Sequence, residues 1–116
     1  MEKFTIYCTE EQTRKALELG APIEPTFCEH GLVEQVLLEN PNTPYVKSYY
    51  DIPTAEQMLE WLRSKGLRFK IAEYVNITYW QYQIKLSFKC GSELCYKDAV
   101  LSLIDAALDY LVNNRK

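Results

Sequence analysis

Apolar and polar positions follow two different periods along the chain. They alternate over Lys3–Tyr7, Arg68–Tyr74 and Thr78–Lys89, and a period of two residues is typical of a strand that buries one face. Apolar residues recur every three or four positions over Ala55–Lys65 and Tyr96–Asn113, which is the stripe of a helix that packs on a core. The pattern therefore predicts a mixture of strands and helices.

Two stretches open with the same pattern, Thr-x-Glu-Gln, and each is followed by a glycine. They are TEEQTRKALELGAP, from Thr9, and TAEQMLEWLRSKGL, from Thr54. A threonine followed three positions later by glutamine forms a capping box at a helix start, and glycine supplies the left-handed residue at a helix end. We predict helices over Glu10–Leu19 and Ala55–Lys65, and we interpret the similarity as helix capping and not as internal duplication.

The remaining segments are assigned from turn residues and shorter patterns. Phe27–Asn40 fits either a short helix or a strand with a bulge, and Tyr45–Tyr50 predicts a strand. Loops or turns are predicted over Ala21–Thr26, Asn40–Pro44 and Cys90–Cys95. We expect one α+β domain over residues 1–116, in which a small antiparallel sheet is covered on one face by two or three helices.

Composition and charge narrow the class of protein. Of the 116 residues, 13% are aromatic, and aromatic residues favour strands and packed cores. Residues 1–60 carry four Lys and Arg against eleven Asp and Glu, whereas residues 61–116 carry nine against five. The sequence has no signal-peptide pattern and no apolar stretch as long as a membrane span, so we expect a cytoplasmic protein without membrane attachment.

Candidate groups for catalysis or metal binding are few. Cys28 and His30, together with Cys90 and Cys95, could supply zinc ligands, but their spacing differs from the paired ligands of structural zinc sites. His30 is the only histidine, so a Cys–His nucleophile would have to use it. We expect the cysteines to be free thiols. We predict no catalytic, metal-binding or cofactor-binding residues, no small-molecule substrate and no enzymatic activity.

The segment from Arg63 to Lys89 contains six basic residues and one acid, Glu73. If Trp80 and alternate residues face the helices, cations and tyrosines occupy the opposite face of the strands. The predicted macromolecule-binding residues are Arg63, Lys65, Arg68, Lys70, Tyr79, Lys85 and Lys89. Cations could meet phosphates while Tyr rings stack on bases. Alternatively, the face is solvated, contacts a protein, or is covered by the acidic amino-terminal half of the same or a second chain.

Three longer stretches carry a resemblance to known proteins. They are IYCTEEQTRKALELGAPIE, IPTAEQMLEWLRSKG and YKDAVLSLIDAALDYL. Together they resemble a group of small bacterial proteins that are often carried by phages or other mobile elements, and the chain departs from that group over Phe27–Tyr50. Because no activity is established for the group, the resemblance implies an accessory role and assigns no functional residues.

The combined expectation is a non-catalytic accessory protein that binds another protein, which is either a different chain or a second copy. The alternative is a nucleic-acid-binding module that uses the basic, tyrosine-rich face of residues 68–89. An isoelectric point near 5.2 disfavours the alternative, because nucleic-acid-binding domains are usually basic.

Overall fold

The described part of the chain folds into three helices and six strands. It is described from a computed structural model, which covers residues 6–23, 25–26, 35–40 and 43–114. The helices are α1 (Glu10–Glu18), α2 (Ala55–Ser64) and α3 (Tyr96–Asn113). The strands are β1 (Pro25–Thr26), β2 (Gln35–Asn40), β3 (Thr43–Asp51), β4 (Arg68–Glu73), β5 (Thr78–Ile84) and β6 (Ser87–Glu93). The predicted α+β class is confirmed.

These strands form two antiparallel sheets of three strands each. The first sheet has the order β1-β3-β2 and the second has the order β4-β5-β6. Helix α3 packs across the second sheet, and α1 and α2 pack against α3. Helix α2 also reaches this sheet, because the Arg63 guanidinium lies 5.7 Å from the centre of the Phe69 ring on β4. The predicted antiparallel sheet with helices on one face corresponds to the second sheet, and the first sheet is an addition to the prediction.

The first sheet contains the segment for which the sequence allows two interpretations. Strand β2 pairs antiparallel with β3, and the register shifts between Glu39 and Asn40, so the bulged strand is the correct alternative for residues 35–40. The strand predicted over Tyr45–Tyr50 lies within β3. Asn40 at the end of β2 pairs with Thr43 at the start of β3, so three residues of the turn predicted over Asn40–Pro44 belong to strands, and the other two lie outside the described residues.

Two predictions for the amino-terminal part need correction or fall outside the described residues. Strand β1 lies in Ala21–Thr26, which is predicted as a loop, and it pairs with the end of β3. The predicted strand Lys3–Tyr7 lies outside the described residues except at its end, where Tyr7 forms a single antiparallel bridge with Thr54.

The alternating segment Thr78–Lys89 is a hairpin, so the prediction of one continuous strand is wrong. A turn made by Lys85 and Leu86 separates β5 from β6. Lys85 has a φ of 53°, a conformation for which hairpin turns usually use glycine or asparagine. Because neither turn residue is a typical turn former, the sequence offers only a weak signal of the reversal. The loop predicted over Cys90–Cys95 is also wrong, since β6 continues through Glu93.

Both predicted capping boxes are confirmed, and only the first is buried. In α1 and α2 alike, the threonine hydroxyl accepts the glutamine N–H, and the glutamine side chain accepts the threonine N–H. Gly20 and Gly66 follow the helices with φ values of 90° and 99°, as predicted for left-handed helix ends. Gln12 is completely buried, whereas Gln57 is exposed.

Gln12 joins the start of α1 to the middle of α3. Its Nε2 donates to the Leu101 carbonyl and to Asp105 Oδ1, both at 2.9 Å, while its Oε1 accepts the Thr9 N–H at 3.0 Å. A second polar contact lies further along α1, where Lys15 Nζ is 2.7 Å from Asp109 Oδ1. The capping residue of α1 is therefore also its main polar contact with the rest of the protein.

The core side of the second sheet depends on one close approach between strands. Gly91 on β6 pairs with Trp80 on β5, and the Trp80 indole occupies the space where a side chain at position 91 would lie. A Cβ atom at Gly91 would be 2.4 Å from Trp80 Cζ2, which is far inside van der Waals contact. Glycine is therefore required at this position because Trp80 fills the space beside it.

Gln12→Ala is predicted to destabilise the protein more than Gln57→Ala, although both remove the same capping interaction. Gln12→Ala also removes the hydrogen bonds to the Leu101 carbonyl and the Asp105 carboxylate and leaves a gap at a completely buried position, so we expect a loss of about 3 kcal/mol in the free energy of unfolding. For the exposed Gln57 we expect less than about 1 kcal/mol. Urea denaturation followed by circular dichroism measures both values. Equal losses would show that Gln12 acts only as a cap.

Gly91→Ala is predicted to lower the free energy of unfolding by about 1–3 kcal/mol, because the added methyl group forces Trp80 out of its position. Ser92→Ala is the matched control on the same strand, since Ser92 is exposed and its substitution should change the stability by less than about 0.5 kcal/mol. Urea denaturation followed by tryptophan fluorescence reports both. A Gly91→Ala protein as stable as wild type would contradict the close approach.

Candidate functional site

The candidate binding surface is the face of the second sheet that points away from α3, here called the open face. Strand β5 buries alternate residues from Thr78 to Ile84 on the helix side, so the residues between them point the other way. Residues paired directly across antiparallel strands share a face, and the strand register therefore identifies the members. They are Arg68, Lys70, Ala72 and Tyr74; Tyr79, Gln81 and Gln83; and Phe88, Cys90 and Ser92.

Three aromatic rings lie exposed on the open face. Tyr74 is 64% exposed, Tyr79 is 45% exposed and Phe88 is 66% exposed. Helix α3 packs on the opposite face, where the Tyr110 ring lies 6.0 Å from the Tyr82 ring. Single exposed apolar residues are ordinary on a protein surface, but a group of rings on one sheet face is typical of an interaction surface.

The charge of the open face is positive. Arg68 and Lys70 are exposed on β4, and neither forms a salt bridge with another described residue. Glu73 and Glu93 are the acids of these strands, but both pair with Thr78, whose side chain is buried on the helix side. Among the described residues, the members of the open face thus include two cations and no acid.

The predicted binding residues do not all share one surface. Arg68, Lys70 and Tyr79 lie together on the open face, as predicted. Arg63 and Lys65 belong to the end of α2, where Arg63 lies over Phe69 and the Lys65 ammonium is 5.4 Å from the centre of the Trp61 ring. These two cations therefore contact aromatic rings on the helix side.

The hairpin turn changes the positions of two further predicted residues. Lys85 lies in the turn, beside the fully exposed Leu86. Lys89 pairs with Tyr82, so its register places it on the helix side of an edge strand, although it is exposed. A charged residue pointing inward on an edge strand hinders pairing with other chains. The assignment of Lys89 to the open face was therefore wrong.

The sequence pattern missed Phe88 and Cys90 as members of the open face. Continued alternation from Trp80 would place Phe88 with the core, but the two-residue turn reverses the faces in β6, and Phe88 pairs with Gln83. Leu86 is the one available signal of the turn. It lies next to Lys85 and near Lys89, and a leucine among charged residues is not always part of a core. That signal is too weak to locate the turn without the structure.

A small cavity, here called the notch, opens on the face between its tyrosines. It has a volume of about 170 Å³ and is lined by Lys70, Ala72, Tyr74, Tyr79 and Gln81. The Tyr79 hydroxyl contacts Cys90 Sγ at 3.8 Å, which fixes the ring toward β6. This hydrogen bond to Cys90 raises the pKa of Tyr79.

A larger cavity lies away from the open face, at the start of α2. It measures about 640 Å³, and Tyr7, Ile23, Pro53, Met58 and Trp61 are among its lining residues. Its walls are mostly apolar, with Asp51, Thr54 and Gln57 as polar members. Asp51 accepts a hydrogen bond from Gln35 at 2.9 Å, and Gln57 caps α2.

The described residues offer little for nucleophilic or metal chemistry. Cys28 and His30 lie outside the described residues. Cys8 is buried, and that burial, together with the nearby Asp105 carboxylate, raises the pKa of its thiol from 9.0 to about 12, so it is not ionised at neutral pH. Cys90 and Cys95 are exposed free thiols. No three His, Cys, Asp or Glu side chains within residues 6–23, 25–26, 35–40 and 43–114 come together as a metal site requires.

Cys8 is predicted to make the stability depend on pH in the alkaline range. Its pKa is higher in the folded state than in the unfolded state, so its contribution is complete below pH 9 and is lost as the pH rises from 9 toward about 12. We expect the free energy of unfolding of wild type to fall more steeply over this range than that of Cys8→Ala, as measured by urea denaturation. Identical slopes would contradict the raised pKa.

Comparisons with known proteins provide no functional information about the open face. None of the helices in the described part of the chain is long and apolar enough to cross a membrane. Comparison of the chain with protein-family models, with curated proteins and with solved structures finds no match.

Proposed function

We propose that this chain is a non-catalytic accessory protein of the cytoplasm that binds another protein through the open face. The observation that carries the proposal is the group of three exposed rings on a sheet face that α3 leaves uncovered, namely Tyr74, Tyr79 and Phe88. Aromatic residues are enriched where proteins bind each other, because their large surfaces release water on contact and lose little conformational freedom.

The charge of the open face indicates the chemistry of the partner. Arg68 and Lys70 are unpaired by any described acid and would attract acidic side chains at the edge of an apolar contact. Two open faces packed against each other would bring like charges together, which is unfavourable. A different protein that presents apolar and acidic residues together is therefore preferred over a symmetric dimer formed through this face.

Single-stranded nucleic acid is the second candidate, and the combination of rings and cations on one sheet face supports it. Bases stack on aromatic side chains, and cations contact the phosphates. The number of cations weighs against it: Arg63 and Lys65 contact rings on the helix side, and Lys89 has the register of the helix side. Two cations on the face itself are few for a surface that must neutralise several phosphates.

The proposed function predicts that short peptides selected from a random display library bind wild type through the open face. The test variant is the double substitution Lys70→Glu and Phe88→Ser, which should weaken binding at least about tenfold. The matched control is Leu94→Ser with Lys97→Glu, because it makes the same kinds of change at exposed positions outside the open face. Biolayer interferometry measures the affinity of each protein for the selected peptides.

The same proteins are tested with labelled single-stranded oligonucleotides by fluorescence polarisation, at about 50 and about 200 mM salt. Binding that falls steeply with salt and is lost in the open-face variant would replace the protein partner with nucleic acid. Peptides that bind the open-face variant as well as wild type would overturn the proposal. So would the absence of any selected peptide or oligonucleotide that binds.

A further inference from the structure

The notch is a recess in the open face, formed over a small residue between two tyrosine rings. Ala72 is the smallest side chain among the strand residues of β4 on this face, and it lies between two tyrosines. Tyr79 is its partner across the strands, and Tyr74, which directly follows β4, also lines the notch. A small residue between two rings leaves a space with a methyl group as its floor and aromatic walls.

We propose that the notch holds one aromatic side chain of the protein partner, with an acidic side chain of the same segment against Lys70. This inference rests on the proposed function and specifies the segment that the open face would recognise. The partner segment is thus a short acidic stretch with a single phenylalanine, tyrosine or tryptophan.

The size of the notch limits what can occupy it. Its volume of about 170 Å³ is below the range of about 300–1,000 Å³ that is usual for small-molecule sites. The space can accept one side chain and not a cofactor or a helix. Interfaces often concentrate their binding energy where one aromatic side chain enters a pocket of the partner.

The lining of the notch favours a ring over an aliphatic chain. Aromatic rings prefer offset or edge-to-face contacts with one another, and Tyr74 and Tyr79 offer two such walls. The contact with Cys90 at 3.8 Å holds Tyr79 in place, so less conformational freedom is lost when a ring binds.

The polar end of the notch favours an acidic neighbour. Lys70 and Gln81 line the notch and pair with each other across β4 and β5, which places an ammonium group and an amide at the same end. Lys70 has no salt bridge with another described residue. An acidic side chain of the partner would supply that ion pair, and Arg68, two residues along β4, extends the positive charge in the same direction.

The test uses three synthetic peptides and isotope-labelled full-length protein. The probe is acetyl-Asp-Glu-Phe-Asp-Glu-amide, the second peptide replaces Phe by Ala, and the third replaces the acids by Lys. We expect the probe alone to give saturable chemical-shift changes in two-dimensional NMR spectra, centred on the backbone amides of Lys70, Ala72 and Tyr79. We expect the peptide without the ring to bind at least about tenfold more weakly.

Two matched substitutions test the notch itself. Ala72→Leu fills the notch without removing a charge or a ring and should weaken binding of the probe at least about tenfold. Asn113→Leu places the same side chain at an exposed position at the end of α3, on the side of the sheet opposite the open face, and should leave binding nearly unchanged. Tyr74→Ala, at a 64% exposed position, removes one wall of the notch and should also weaken binding of the probe. This variant tests the notch if Ala72→Leu does not fold.

The outcomes separate this inference from the proposed function. If display-selected peptides lose affinity for the Lys70→Glu and Phe88→Ser protein but bind Ala72→Leu as well as wild type, the open face is the interface and the notch is not its pocket. If the probe produces no shifts at its highest soluble concentration, or binds no better than the peptide without the ring, the inference is overturned. Stronger binding of the lysine peptide would also overturn it.

Discussion

The central strand of the second sheet must bury alternate side chains under α3, and most of the molecule follows from this constraint. Trp80, Tyr82 and Ile84 point toward the helix, whose own stripe from Ala99 to Leu108 is almost completely buried. Because strand side chains alternate, burying these residues places Tyr79, Gln81 and Gln83 on the opposite face. The core and the open face are therefore two consequences of one strand register.

The edge strand β6 is fixed to the same register by Gly91. The Trp80 indole fills the space beside Gly91, so a shift of β6 along β5 would bring a side chain against that ring. A slip of one residue would also exchange the two faces of the strand, moving Phe88 to the helix side and Lys89 to the open face. The absence of a side chain at position 91 thus helps to keep an aromatic ring on the surface proposed for binding.

The helices and the central strand were predictable from local sequence, whereas the second half of the hairpin was not. Capping boxes and terminal glycines involve only neighbours in the chain, so Thr9 and Thr54 locate both helix starts without tertiary information. The burial of Gln12 against α3 and the exposure of Gln57 depend on packing, which identical motifs cannot reveal. The turn at Lys85 was missed because tertiary pairing, and not turn-forming residues, imposes its positive φ.

The candidate site was predicted in part, and the reason lies in what each cation contacts. Sequence spacing groups six basic residues, but it does not show that Arg63 and Lys65 contact rings on the helix side or that Lys89 has the register of the helix side. A basic segment therefore becomes a surface with three exposed aromatic rings and two cations. Phosphate contacts gain from many charges, whereas a protein contact gains from exposed rings with a few charges at the border. The arrangement of these cations in the fold therefore supports the proposal that the partner of this face is a protein.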